Sequence, residues 1–310
     1  MDKVIITAAL TGAVTVPTQT PYLPYMIEQL AEDAAQCARA GAAIIHIHAR
    51  NPVNGAPSSD MELFGEILKA IKARTDAVIC TTTGGGVGMT PADRVRVVPL
   101  WQPELATCNM GSMNFSVHPI ARRFADSDYK FPWEKQWLLG SEDFIFPNTF
   151  ASIKHFLGEM KKTNTRPEFE IYDVGHLYNL DFMVKEGLVE TPIWLQFVMG
   201  VLGGIRATLY DLTHLLDTAN RLFGPDNYHW SVIGAGYPQQ FHMCTAAIML
   251  GGHARVGLED NIFVSRGKLG RNHELVEKIV RIAAEFDREP ATPDEVRAFL
   301  NLKGKDQVGF

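Results

Sequence analysis

One pattern constrains this chain more than any other. Short β-branched or apolar runs alternate, almost from end to end, with longer segments carrying apolar residues at helical spacing. Runs at 4–8, 43–48, 77–82, 105–109, 168–172, 193–198, 229–233 and 254–257 read as strands. Segments 26–40, 60–74, 176–186, 211–223, 239–250 and 272–286 read as helices. That alternation builds a parallel sheet covered by helices. Eight strands in 310 residues, set against a usual length of about 250 for a closed barrel of this kind, predict an α/β protein of the (β/α)8 TIM barrel class. The surplus is concentrated at 115–166, an aromatic-rich stretch ending in a helix expected at 148–162. It reads as an insertion around the fourth βα unit, a lid or an oligomer contact. Beyond Arg288, Thr292-Pro293-Asp294-Glu295 carries an N-cap, a proline at the first helical position and acids in the first turn, so a C-terminal helical extension is expected. No repeat and no Ser/Gly linker interrupts the pattern, and residues 1–310 are expected to form a single barrel domain.

Composition removes several classes of function. The net charge is −6, with acids and bases mixed and no Lys/Arg block, so no nucleic-acid partner is expected. The longest apolar stretch, 194–205, is broken by Gln196 and glycines and falls short of the ~20 residues a membrane span needs. The opening MDKVIITAAL has neither a positive leader nor a cleavage site. A cytoplasmic protein with no membrane partner is expected. Cys37, Cys80, Cys108 and Cys244 form no CxxC pair and read as reduced thiols.

In such a barrel, chemistry gathers at the carboxyl ends of the strands. Three of these ends stand out. In Ile44-Ile45-His46-Ile47-His48, a period of two puts His46 and His48 on one face and turns Ile45 and Ile47 to the helix layer. Zinc accepts two imidazoles and a carboxylate while keeping a position open, and Gly257-Leu258-Glu259-Asp260-Asn261 offers the acid. The last strand of a closed barrel pairs with the first, which pairs with the second, so Glu259 can reach across the mouth. The alternative is that the histidines fill the lumen as hydrogen-bonded rings. The third end, Thr81-Thr82-Thr83 running into Gly84-Gly85-Gly86-Val87-Gly88, offers hydroxyls and backbone amides to an oxyanion, or is simply a tight turn. Gly200 with Gly203-Gly204, and Gly234-Ala235-Gly236, repeat that habit after later strands and suit a phosphorylated cofactor.

Seven segments, TAALTGA, IIHIHAR, TTTGGGVG, PELATCNMGSMNF, PEFEIYD, FVMGVLGG and RVGLEDNIF, resemble in order and spacing those of the β-keto acid cleavage enzymes. The resemblance runs from about Val4 to the C-terminus and implies a zinc-dependent barrel that converts a β-keto acid and acetyl-CoA into acetoacetate and a new acyl-CoA. By resemblance, His46, His48 and Glu259 fall on metal ligands, Arg255 and Asp260 on a catalytic pair, Thr107 on a substrate-contacting threonine and Glu170 on an acid near the site. Thr82 stands where the best-known member has serine. Val14 departs from a glutamate that binds the amine in the aminohexanoate-cleaving members, and points to a neutral or apolar tail. A homo-oligomer, a tetramer by resemblance, is implied.

In the expected reaction Asp260 removes a proton from the carbon between ketone and carboxylate. Arg255 beside it is expected to lower its pKa, leaving metal acidification of the substrate to drive the step. Thr82, Thr107, the Asn109 amide and the amides of Gly84, Gly85 and Gly86 are the oxyanion or carboxylate donors. Glu170 orients a ligand or substrate, or is a buried rim carboxylate. Two rivals remain: a metal-dependent hydrolase, since HxH also suits water activation, and a non-catalytic protein that binds metal and a small acid.

Overall fold

The computed structural model describes residues 2–85 and 89–310. The eight expected strands close into one parallel barrel: β1 (Ile6–Ala9), β2 (Ile44–Ile47), β3 (Val78–Thr81), β4 (Leu105–Asn109), β5 (Arg166–Ile171), β6 (Ile193–Met199), β7 (Tyr228–Gly234) and β8 (His253–Val256). Each pairs with its neighbours in sequence, and β8 closes on β1 with Ile6 beside Ala254. The six expected helices lie at Ile27–Ala40, Met61–Lys72, Val174–Lys185, Leu209–Phe223, Gln239–Met249 and Asn272–Ala284. None of the described helices is long and apolar enough to cross a membrane.

Two departures have local causes. Between β3 and β4 the chain forms Pro91–Val95 and Val97–Trp101, where the sequence shows no helical pattern. Helices of five residues are too short to display a 3.6-residue period, and the first is set by the Thr90–Asp93 capping box with Pro91 at its start. Within 115–166, the final helix, Phe150–Lys162, takes the place of the fourth barrel helix and buries Ile153, Phe156, Leu157 and Met160. The excursion proper comes before it. Met113–Asn114 pairs antiparallel with Ile145–Phe146, enclosing a 3-10 turn at His118–Arg123 and a helix at Pro132–Gly140.

Outward-facing strand residues such as Ile45, Ile47, Ala106 and Cys108 join the helices in one large core. Inside the lumen, the amino-terminal half is mostly apolar. Ile5, Ile44, Val78, Leu105 and Trp194 pack against Ala291, Val296 and Leu300 of the C-terminal segment, which stoppers the barrel floor. That stopper is the expected C-terminal helix, Pro293–Phe299, started by Thr292, whose hydroxyl accepts the Glu295 amide. Full burial of one leucine such as Leu300 stabilises by roughly 1.5–3 kcal/mol.

Candidate active site

The mouth is built by three strand ends and one glycine. In β2 the alternation holds: Ile45 and Ile47 enter the outer core, and His46 and His48 face inward with ring centroids 5.1 Å apart. At the end of β8, Gly257 adopts φ +149°, and a Cβ there would lie 2.0 Å from the Ala9 carbonyl oxygen. Only glycine lets the chain turn so close over β1. The turn brings the Glu259 amide onto Ala9 O at 3.2 Å, and Ala9 is the register partner of His46. Glu259 therefore lies over the histidines, with Oε2 3.6 Å from His46 Nε2 and Oε1 3.4 Å from His48 Nε2. Gly12, with φ +57°, leaves the space that the Glu259 side chain fills, since a Cβ there would stand 2.3 Å from Glu259 Cγ.

These three residues suit a divalent metal. Their ligand atoms all lie within 4.8 Å of one another. Glu259 Oε2 and His46 Nδ1 are buried and take no hydrogen bond from the described residues, an arrangement that costs free energy unless something else uses the lone pairs. Burial pushes His46 well below its ordinary pKa, leaving a neutral imidazole. Burial alone would raise Glu259, but Arg255, His48 and His46 hold it well below the usual carboxylate range. Two imidazoles and one carboxylate form a donor set that suits zinc. A second trio, His46, Cys80 and Glu168, lies deeper. There burial raises both the Cys80 thiol and the Glu168 carboxyl. Glu168 is already bonded to Cys80 Sγ at 3.7 Å and to Trp194 Nε1 at 2.7 Å. That trio offers a thiol that burial disfavours ionising and a carboxyl whose two oxygens are already engaged, so it suits a metal less well than the upper set.

Beside it, Arg255 is nearly fully buried and faces three carboxylates. Its Nε and Nη2 fork onto Asp260 at 3.0 and 3.2 Å, Nη2 also meets Glu259 Oε1 at 2.8 Å, and Nη1 lies 3.5 Å from Glu170 Oε1. The expectation that Arg255 keeps Asp260 acidic is corrected here. Burial, reinforced by the Glu259 charge, outweighs the arginine and pushes Asp260 up to about 6. Burial raises Glu170 further, to about 8, so it stands protonated at neutral pH.

A cavity of about 920 Å³ opens above this cluster. Among the expected contact residues, Val14, Thr82, Gly84, Gly85, Asn109 and Glu170 line it. Thr82 Oγ1 accepts the Gly84 amide at 2.9 Å, and both polar atoms of the Asn109 amide are buried without partners among the described residues. Thr107 stands apart. Its hydroxyl accepts the Thr83 amide at 3.1 Å and its carbonyl accepts the Thr83 hydroxyl at 2.6 Å, so it is buried and holds the loop rather than lining the cavity. Gly86 lies outside the described residues. The excursion contributes Phe115, Phe144 and Phe146 to the cavity wall, facing Tyr172, Val198 and Ile233.

Sequence reasoning missed two features. Arg123 and Arg206 line the cavity with no ion pair to another described residue; isolated surface arginines carry no sequence signal. Arg50 is fully buried and donates to four backbone carbonyls. Its signal was the 46, 48, 50 spacing, which continues the histidine face past the end of β2.

A parallel eight-stranded barrel whose mouth joins a two-histidine, one-carboxylate ligand set to an arginine-held aspartate is the plan of a (β/α)8 barrel enzyme. Residues 3–302 match the family model described as beta-keto acid cleavage enzyme, and the chain belongs to that family. It is 45% identical over 309 residues to a 3,5-dioxohexanoate:acetyl-CoA acetone transferase of Paraburkholderia graminis, covering 99% of this chain and 98% of the relative. It is 37% identical over 305 residues to a 3-keto-5-aminohexanoate cleavage enzyme of Fusobacterium nucleatum, covering 98% and 99%. Among solved structures, the apo form of ObcA superposes with a TM-score of 0.69 at 18% identity over 91% of this chain and 66% of that one, a likeness of fold.

Proposed function

We propose that this protein exchanges acyl groups between a β-keto acid and acetyl-CoA, releasing acetoacetate and a new acyl-CoA. The observation that carries the reading is the pairing, within one pocket, of an open His46–His48–Glu259 ligand set with Asp260 forked by Arg255. Zinc held by His46, His48 and Glu259 would supply Lewis-acid polarisation of the keto group, several kcal/mol toward enolate formation.

The side chains of this protein do the rest. Asp260 takes the proton from the carbon between ketone and carboxylate, and its raised pKa makes it a better base than an exposed aspartate. Arg255 fixes the plane of that carboxylate through two hydrogen bonds. The carbanion attacks the thioester carbonyl, forming the new carbon–carbon bond and expelling the CoA thiolate. The thiolate then adds to the original keto carbon, and cleavage of the old bond gives the new thioester. Asp260 returns its proton to the departing acetoacetate carbon. Asn109, Thr82 and the amides of Gly84 and Gly85 are the donors available to oxyanions and to the substrate carboxylate. Glu170, protonated, orients Arg255 or substrate. Arg123 and Arg206 at the cavity wall complement the phosphates of CoA.

Val14 and the phenylalanines of the excursion favour a tail without positive charge, as in 3,5-dioxohexanoate, over an aminated one. The chain works as one barrel domain, with 115–166 supplying part of the wall and the fourth helix. Assembly into a homo-oligomer belongs to the same reading, and exposed Leu202, Leu209 and Tyr210 offer apolar surface for it.

The test is incubation with zinc, acetyl-CoA and β-keto acids that differ only in the tail, following acetoacetate and acyl-CoA. Neutral tails are expected to turn over and 5-amino tails poorly. His46→Ala should lose both bound zinc and turnover. Hydrolysis without thioester dependence would support the hydrolase instead, and zinc binding with no turnover across the panel would support a binding protein.

A further inference from the structure

We propose that Arg50 is the positioning residue of this site. It fixes the 11–15 loop, and through that loop both the Glu259 carboxylate and the Val14 wall, relative to His46 and His48. The proposal rests on the reading above that these groups form one metal and keto-acid site.

Arg50 is fully buried, and no described carboxylate pairs with it. Instead Nε donates to Gly12 O at 3.0 Å, Nη2 to Thr11 O at 2.9 Å and Thr15 O at 2.7 Å, and Nη1 to Gly55 O at 2.7 Å. Burying a cation away from water is costly, and Glu259 and Glu134, whose charges act on Arg50, make no ion pair with it. A neutral donor would close a loop at lower cost, so the feature to explain is the planar fork, which reaches several fixed acceptors at once.

Three of those acceptors bracket Val14, and they tie onward to the ligand set. Thr15 Oγ1 donates to Leu258 O at 2.8 Å and Glu259 O at 3.2 Å, gripping the main chain that carries Glu259. Gly12, held by Nε, is the residue against which the Glu259 side chain packs. The same guanidinium thus fixes a carboxylate more than two hundred residues away in sequence and the wall that meets the substrate tail. The Gly55 contact pins the chain leaving β2 to the same point. Lysine would keep the charge but, as a single compact cation, could not hold all four carbonyls.

The test uses Arg50→Lys in the full chain. Zinc affinity is measured by chelator competition, KM is measured separately for the β-keto acid and for acetyl-CoA, and amide exchange is followed at 10–16 and 257–261. Expected results are zinc affinity weakened about 10- to 100-fold, keto-acid KM raised about tenfold or more, acetyl-CoA KM within about twofold of the parent, and faster exchange confined to those two segments. Zinc affinity and keto-acid KM both within about twofold of the parent would overturn the proposal, and so would equal rises in the two KM values with exchange faster everywhere. Should Arg50→Lys fail to fold, Thr15→Val decides. Zinc binding weakened by about threefold or more at a near-parental melting temperature supports the tie, and unchanged binding refutes it. A parent that binds zinc but turns over no keto acid defeats the functional reading alone, because zinc affinity and exchange still judge Arg50. A parent that binds no zinc leaves the exchange pattern as the deciding measurement.

Discussion

Along β2, β3 and β4 the inward residues near the amino ends are Ile44, Val78 and Leu105, packed on Trp194 and sealed from below by Val296 and Leu300. Two to four residues further along the same strands stand His46, Thr82 and Asn109, at the edge of a 920 Å³ cavity. Both regions bury polar atoms, but they treat them differently. Toward the floor, His253 Nδ1 accepts the Ile5 amide at 3.0 Å, and Trp194 Nε1 donates to Glu168 at 2.7 Å. Toward the mouth, His46 Nδ1, Glu259 Oε2, both Asn109 amide atoms and Arg255 Nη1 have no hydrogen-bond partner among the described residues. The floor uses burial for stability. The mouth forgoes stability to keep lone pairs and donors free for ligands, a local inconsistency of the kind expected at functional sites.

That contrast can be broken by separating activity from stability. Asp260→Asn should lower turnover by about 10³-fold, with zinc retained and the melting temperature little changed; turnover within tenfold of the parent would mean the base lies elsewhere. Trp194→Ala should do the reverse, costing about 3–5 kcal/mol in urea unfolding, while the molecules still folded keep most of their activity. Leu300→Ala, in the stopper, is expected to cost about 2–4 kcal/mol by the same measurement, and a cost below 1 kcal/mol would show that the C-terminal segment does not seal the floor.

The smallest effect depends on pH. Burial pushes His253 down to about 3, so below its ordinary value near 6.5 the unfolded chain takes up a proton that the folded chain refuses. Its contribution to stability is complete above 6.5 and is lost as pH falls toward 3. Between pH 6.5 and 5 this amounts to about 2 kcal/mol. His253→Asn, which keeps an acceptor for the Ile5 amide but does not titrate, should flatten that part of the stability curve. An unchanged slope would assign the acid sensitivity to other groups.

Much of this contrast was legible in the chain itself. Strand alternation located the barrel, HxH placed two imidazoles on one face, and Thr292-Pro293 announced the stopper helix. Pro91–Val95 and Val97–Trp101 were not legible because single short turns carry no period. Thr107 was expected at the substrate by resemblance; it accepts the Thr83 amide and does not line the cavity, a contact between neighbouring strand ends that no local pattern records. Asp260 was expected to be acidic beside Arg255, yet burial wins by an amount that depends on everything packed around the pair.

The division follows the range of the forces. Periods of two and 3.6 residues and capping boxes are local, so the chain by itself determined the eight barrel strands, their inward faces and the two histidines that share one. Only the closed barrel decided that Gly257 turns tightly enough over Ala9 to set Glu259 above those histidines, that Asp260 is lifted to about 6, and that Arg50 takes its four carbonyls. Those outcomes depend on desolvation and on contacts between residues far apart in sequence, which exist only once the last strand has met the first.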